Sequence, residues 1–262
     1  MRRVLVTAYT EEPFWRLPQP EREALENGFP EVEWVFREDG LPEREPSLAR
    51  VDAWFGWTFP DAALAGAGAL RWMHSASTGV RRFLTPAFRE RRIVLTSARG
   101  AHAPFLAEQA MAWMLGHVRR QRETQAAAAE ARWAGADLLA QNPPGTLLGK
   151  QLVILGYGAA GRELARRAEA FGMRVTGVRR TPAGDEDVPC VAPDALDGLL
   201  PRADFLANLL PYTDATRGLV SADVLDRLPR GAFVLNLGRG RTLDQDALAE
   251  RLADGRLGGA GL

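Results

Sequence analysis

Cysteine is nearly missing from this chain: Cys190 is the only one in 262 residues. That excludes an internal disulfide and any cysteine-rich metal site, and the setting Val188-Pro189-Cys190-Val191 reads as a small buried residue. Lysine is as scarce, with Lys150 alone, so lysine-based chemistry has one candidate. Net charge is absent too. Thirty-three basic residues balance 33 acidic ones, which removes the electrostatic footprint of a nucleic-acid binder or of an anionic membrane surface. No apolar run approaches the length of a membrane span. The start, Met1-Arg2-Arg3-Val4-Leu5-Val6-Thr7, reads as a short strand rather than a signal peptide, and the expected location is cytoplasmic.

What remains is an ordinary globular composition, 46% hydrophobic and 25% charged, long enough for two modest domains with their own cores. Residues 1 to about 100 alternate short strands (Val4–Tyr9, Val32–Phe36, Ala53–Trp57, Trp72–Ser75, Ile93–Thr96) with helical segments at Glu21–Glu26 and Asp61–Ala67. Such alternation predicts a parallel sheet covered by helices. Trp34, Trp54, Trp57 and Trp72 fall in or beside these strands and are expected in the core. The strand ending at Ser75 runs into Ala76-Ser77-Thr78-Gly79-Val80, a turn leading to a helix from about Arg81. Backbone N–H groups there suit a carboxylate, or form a tight turn with no ligand.

A long helix is predicted from Pro104 to about Arg122, because proline is tolerated in a first turn. Its apolar positions cover more than one narrow face, as expected where a helix also meets a partner. Gly145-Thr146-Leu147-Leu148-Gly149-Lys150 resembles a P-loop but is one residue short, is followed by Gln151 instead of Ser or Thr, and precedes the strand; it is rejected as one.

The organising stretch is Gln151–Arg180. Leu152–Leu155 is an apolar run of the kind a strand buried on both faces needs. A helix-period segment follows (Leu164, Ala165, Ala168, Phe171), then a second strand, Met173–Val178. Between the first strand and the helix lies Gly156-Tyr157-Gly158-Ala159-Ala160-Gly161. In such a turn the first glycine permits the bend, the second lets a pyrophosphate approach the backbone, and the third lets helix pack on strand. The helix start then attracts phosphate. The second strand ends in Arg179-Arg180-Thr181, where an NAD-selective site usually has an acid. NADP is therefore expected over NAD, with NAD still possible. Further parallel units follow: strand Phe205–Leu209, helix Ala222–Arg227, strand Ala232–Leu237, helix Asp244–Ala253, and a strand beginning at Gly259.

With Phe233-Val234-Leu235-Asn236-Leu237-Gly238-Arg239-Gly240 the sequence resembles the D-isomer-specific 2-hydroxyacid dehydrogenases, nearest their glyoxylate/hydroxypyruvate reductase branch. The likeness also rests on Ser75–Val80, Ala107-Glu108, the glycine turn and Asn208–Thr216. It implies two doubly wound α/β lobes, a flavodoxin-like substrate lobe over 1–100 and a Rossmann NAD(P)-binding domain over 101–262. It makes Arg239 the residue that grips the carboxylate of a small 2-oxo acid and polarises its oxo group, consistent with a guanidinium's two-oxygen reach. It assigns the same carboxylate to Thr78, Gly79 and Val80, and the nicotinamide half of the cofactor to Leu210, Pro211, Thr216, Leu237 and Gly238. It also points to a homodimer through the helix from Pro104 and the segment after it.

The departures carry information. Ala159 and Ala160 stand where relatives often place an arginine for the pyrophosphate, and Arg81 where they commonly have Asp. His102 falls where many relatives carry a polar cleft residue, and a substrate-facing or a structural role is open to it. The family's last strand continues into an Asp, a Glu and a His beyond the position of Leu262, and His74, His102 and His117 all precede the glycine turn. The expectation is a reductase whose 262-residue form binds cofactor and turns over poorly; the alternative is a non-catalytic dinucleotide-binding protein resembling the family's corepressors.

Overall fold

The computed structural model describes residues 2–8, 12, 15–38, 46–133, 135–141 and 143–262. The chain divides into two compact units, Met1–Gly100 and Ala101–Leu262.

Among the described residues the first unit holds five strands, β1 (Arg2–Thr7), β2 (Val32–Phe36), β3 (Ala53–Gly56), β4 (Trp72–Ser75) and β5 (Val94–Ser97), with helices α1 (Gln19–Gly28), α2 (Asp61–Leu64) and α3 (Pro86–Arg89). All four ladders are parallel and the order is β2-β1-β3-β4-β5, the flavodoxin-like winding. Leu5, Trp54 and Met73 interlock with Phe59, Leu64, Phe83 and Phe88 in its core. Of the four tryptophans expected inside, only Trp54 is buried; Trp72 is 47% exposed and Trp34 and Trp57 are half-buried. Strand alternation explains this, since Trp72 lies on the face opposite Met73. The helix expected from Arg81 is only a 3-10 turn, Arg81–Phe83. Pro86 restarts the chain as α3, which Thr85 caps by accepting from Phe88 N at 3.2 Å. Tyr9, the expected end of β1, lies outside the described residues.

The second unit carries β6 (Gln151–Leu155), β7 (Arg174–Val178), β8 (Cys190–Val191), β9 (Phe205–Asn208), β10 (Phe233–Asn236) and β11 (Gly259–Gly261), with helices α4 (Ala103–Val118), α5 (Gln121–Ala129), α6 (Gly135–Gln141), α7 (Ala159–Ala170), α8 (Leu196–Leu199), α9 (Ala222–Asp226) and α10 (Gln245–Ala253). Its parallel sheet runs β11-β10-β9-β6-β7-β8. Counted from its own first strand this is the order 3-2-1-4-5-6 of dinucleotide-binding sheets. β6 shows why both faces are covered. Leu152 and Ile154 join a cluster with Met111 and Met114 of α4 and Leu164 and Ala168 of α7, whereas Val153 and Leu155 join Leu206, Val234, Leu225 and Leu248. At the amino-terminal ends of the strands, Asp204 accepts from Lys150 Nζ and from Gln151 N, both at 2.8 Å, which ties β6 to β9.

Two expectations are corrected here. The helix from Pro104 stops at Val118 instead of Arg122, because its buried stripe (Ala103, Ala107, Ala110, Met111, Met114) has no apolar successor after Val118 to pack. Arg120 turns left-handed (φ 56°) and starts α5. Cys190 is half-buried in β8 rather than fully buried; that strand is two residues long, too short to show periodicity.

Candidate functional site

The strand-turn-helix of β6, residues 156–158 and α7 separates the roles of its three glycines. Gly156 has φ +96°, and a Cβ there would lie 3.0 Å from the Leu209 backbone. A Cβ on Gly161 would stand 2.8 Å from the Gly156 carbonyl oxygen and 3.4 Å from Ile154 Cγ2. Packing within the protein therefore requires both. Gly158, which precedes α7 as its cap, is different: a Cβ there would meet nothing within 4 Å. No contact in the fold demands a glycine at that place, and the space beside it borders the first turn of α7, where Ala159 and Ala160 have backbone N–H groups with no intrahelical partner. Tyr157 turns its side chain inward. It is buried against Gly177, its hydroxyl has no hydrogen-bond partner among the described residues, the Arg162 guanidinium lies 5.4 Å from its ring centroid, and burial raises its pKa. Only its backbone faces the turn, donating to Val178 O at 3.3 Å.

This turn sits where the winding of the sheet reverses, between β6 and β9; the exit of β9 is pressed against it, and the exit of β10 is pressed against that of β9. A Cβ on Gly238 would come within 2.7 Å of Leu210 O. The order behind these exits comes from Asn208, which is fully buried. Its amide nitrogen donates to Asn236 Oδ1 (3.0 Å) and Thr242 Oγ1 (2.7 Å), and its Oδ1 accepts from Leu210 N (3.2 Å). Thr242 Oγ1 then donates to Arg239 O at 2.6 Å. Every polar atom of the Asn208 side chain is thereby satisfied, and the strand exits carrying Leu210, Leu237, Gly238 and Arg239 are held together. Arg239 itself is exposed, donates to Gly238 O at 2.9 Å and makes no ion pair among the described residues. Thr216 Oγ1 donates to Pro211 O at 2.6 Å and accepts from Thr213 N at 2.8 Å, fixing the loop after β9. Sequence reasoning quoted Asn208 only as part of a motif and missed Thr242; a buried amide paired with a hydroxyl 34 residues on leaves no local signal.

At the end of β7, Val178 O accepts from Gly156 N at 2.9 Å, so Arg179, Arg180 and Thr181 leave the sheet beside the glycine turn. Arg180 and Thr181 are exposed. Arg179 is not free: its Nη1 meets Glu186 Oε1 at 2.8 Å. Hydrogen bonds from Ala183 N and Gly184 N hold the Glu186 carboxyl below the ordinary carboxylate range, with the Arg179 bond in the same direction. The sequence placed an acid no nearer than Asp185, and the loop brings the following one back.

The remaining candidates are carried by other elements. Thr78, Gly79 and Val80 belong to the first unit, in the turn after β4, where Ser77 Oγ donates to Gly79 O at 3.0 Å. Lys150 is engaged by Asp204 at the amino-terminal ends of the strands, away from the glycine turn. His102 stands at the N-cap position of α4 without a side-chain capping bond and is half-buried, and His117 packs on Phe233 with ring centroids 4.6 Å apart. Among the described residues no group of three or more His, Cys, Asp and Glu is gathered as a metal site, and no helix is long and apolar enough to cross a membrane.

The sequence model of the D-isomer specific 2-hydroxyacid dehydrogenase NAD-binding domain matches residues 111–262. The chain belongs to this family. It is similar to the hydroxypyruvate reductase of Thermotoga maritima, 34% identical over 175 residues, which are 66% of this chain and 55% of that protein. It is similar also to the glyoxylate reductase of Korarchaeum cryptofilum, 32% identical over 180 residues, 66% of this chain and 52% of that one. The matches thus span about half the length of these two reductases. Among solved structures, a D-isomer specific 2-hydroxyacid dehydrogenase of Xanthobacter autotrophicus Py2 in complex with NADPH and MES has a TM-score of 0.80 at 26% identity, covering 98% of this chain and 79% of that one. The TT0316 protein of Thermus thermophilus has a TM-score of 0.75 at 32% identity, over 99% of this chain and 81% of that one.

Proposed function

We propose that this protein is a pyridine-nucleotide-dependent reductase of small 2-oxo acids, of the glyoxylate or hydroxypyruvate type, with NADP preferred to NAD. The observation that carries the reading is Gly158. It is the one glycine of the turn that no contact among the described residues requires, and it opens onto a helix start whose N–H groups have no intrahelical partner, which suits close approach of a pyrophosphate. Gly156, Ala159, Ala160 and Gly161 shape that cradle, and Tyr157 supports it from below. Leu210, Pro211, Thr216, Leu237 and Gly238 would line the nicotinamide half. The preference for NADP rests on the strand end Arg179-Arg180-Thr181, of which Arg180 and Thr181 are exposed and would meet a 2′-phosphate. A bound reduced nicotinamide supplies the hydride. Arg239, charged and without a carboxylate partner among the described residues, would take the carboxylate of the 2-oxo acid and draw electron density from its oxo group. In the first unit, the turn of Thr78, Gly79 and Val80 would offer backbone N–H groups to a substrate carboxylate. We assign no proton donor among the three histidines. A homodimer built on α4 and the segment after it completes the proposal.

Titration calorimetry with NADPH tests the reading. The protein should bind, and Gly158→Ala should weaken binding at least about tenfold, roughly 1.4 kcal/mol, while its melting temperature barely changes. Undiminished binding by Gly158→Ala would sink the assignment of this turn.

A further inference from the structure

Glu186 is an acid that the cofactor reading does not use, yet it is the most completely engaged carboxylate near the site. It lies in the connection between β7 and β8, and its side chain is only 3% exposed. Oε1 accepts from Ala183 N at 2.7 Å and from Arg179 Nη1 at 2.8 Å, and Oε2 accepts from Gly184 N at 2.8 Å. An acid in such a place cannot act as the usual receptor of a ribose 2′-hydroxyl, because both oxygens are already bonded to protein and the side chain is closed to a ligand. Its effect falls on Arg179 instead. Arg179 still belongs to the sheet through its backbone, donating to Val191 O at 3.1 Å, and its guanidinium is held beside β8. Arg180 is the first residue free of the ladder, is exposed, and makes no ion pair among the described residues.

We propose that Glu186 is a positioning residue that sets cofactor selectivity: it neutralises Arg179 in a closed ion pair and leaves Arg180 as the cation that meets the 2′-phosphate. The inference rests on the dinucleotide reading above. The pair of adjacent arginines is then not a double positive charge. One guanidinium closes the loop of residues 179–186 and the other selects the ligand. Glu186 limits the preference for NADP, because removing its charge would expose the second cation to the phosphate.

Dissociation constants of NADPH and NADH for five proteins, measured by calorimetry with melting curves alongside, test this. Arg180→Ala should cut the NADPH-over-NADH affinity ratio about tenfold or more, the size of a lost charge-assisted hydrogen bond. Glu186→Gln should raise the ratio, Arg179→Ala should lower it by less than Arg180→Ala does, and the Arg180→Ala, Glu186→Gln double variant should return it to the starting value because local charge is restored. A double variant that loses as much preference as Arg180→Ala would show that freeing Arg179 supplies no cation to the phosphate. Glu186→Gln weakening both nucleotides equally would leave it a loop brace only. Either result, or an unchanged ratio in Arg180→Ala, overturns the proposal. If Glu186→Gln fails to fold, the comparison of Arg179→Ala with Arg180→Ala still decides: an equal or larger loss in Arg179→Ala refutes it. An unsubstituted protein that binds neither nucleotide would instead overturn the dinucleotide reading.

Discussion

Two kinds of glycine share the turn after β6, and the same substitution should cost one of them mainly stability and the other mainly cofactor binding. In Gly161→Ala the new methyl would meet the Gly156 carbonyl oxygen at 2.8 Å, a backbone atom that cannot yield cheaply, so a stability loss of about 1–3 kcal/mol is expected in chemical denaturation. Gly158→Ala should lose no more than about 1 kcal/mol, the difference between glycine and alanine at a helix cap. Arg239 separates function from stability in the same way. Its side chain bonds only to its neighbour's carbonyl among the described residues, so Arg239→Ala should shift stability by no more than about 0.5 kcal/mol. It should raise the concentration of glyoxylate needed for half-maximal NADPH oxidation at least about tenfold, since a charge-assisted bond is lost.

The carboxyl end of α4 gives an element-scale prediction. His117 lies in its last turn, tilted over Phe233 and edge-on to Phe205, and close to Gly258 and Gly259 at the start of β11. Burial lowers its pKa below the ordinary 6.5, with Arg120 and Lys150 acting in the same direction and Glu123 opposing. The sign follows. The unfolded chain binds the proton more readily than the folded one, so the contribution of His117 is fully present above about pH 6.5 and is lost as pH falls through the lowered folded value. His117→Gln, which cannot titrate, should show a shallower fall in melting temperature between neutral and mildly acidic pH. Parallel pH profiles for the two proteins would refute it.

At the scale of the whole molecule, α4 to α6 leave large apolar side chains in water. Phe105 is 71% exposed, Trp133 91% and Leu139 68%. Residues of this kind gathered along one stretch of chain mark an association surface more often than a monomer's exterior. Light scattering should therefore give the mass of a dimer, and replacing both Trp133 and Leu139 with glutamate should give that of a monomer. A monomer before substitution would refute the homodimer, and an unchanged dimer after it would move the interface elsewhere.

The sequence by itself determined the local periodicities and their chemistry. Leu152–Leu155 had to be a doubly covered strand because it is apolar at both parities, and the glycine turn was legible because strand, turn and helix are contiguous. The two runs of strand-helix alternation were enough for parallel sheets covered by helices, and the family resemblance supplied the doubly wound class. Tertiary structure alone decided which strands lie side by side, since the order β11-β10-β9-β6-β7-β8 is set by packing between segments far apart in the chain. It decided that one of the four tryptophans expected inside the first unit is buried, because alternation says that faces differ and not which face is covered. It also joined Asn208 to Thr242 and folded Glu186 back onto Arg179, which sequence separations of 34 and 7 residues conceal. Hydrogen bonds between side chains depend on where the backbone carries them, and no residue pattern records that before the chain has folded.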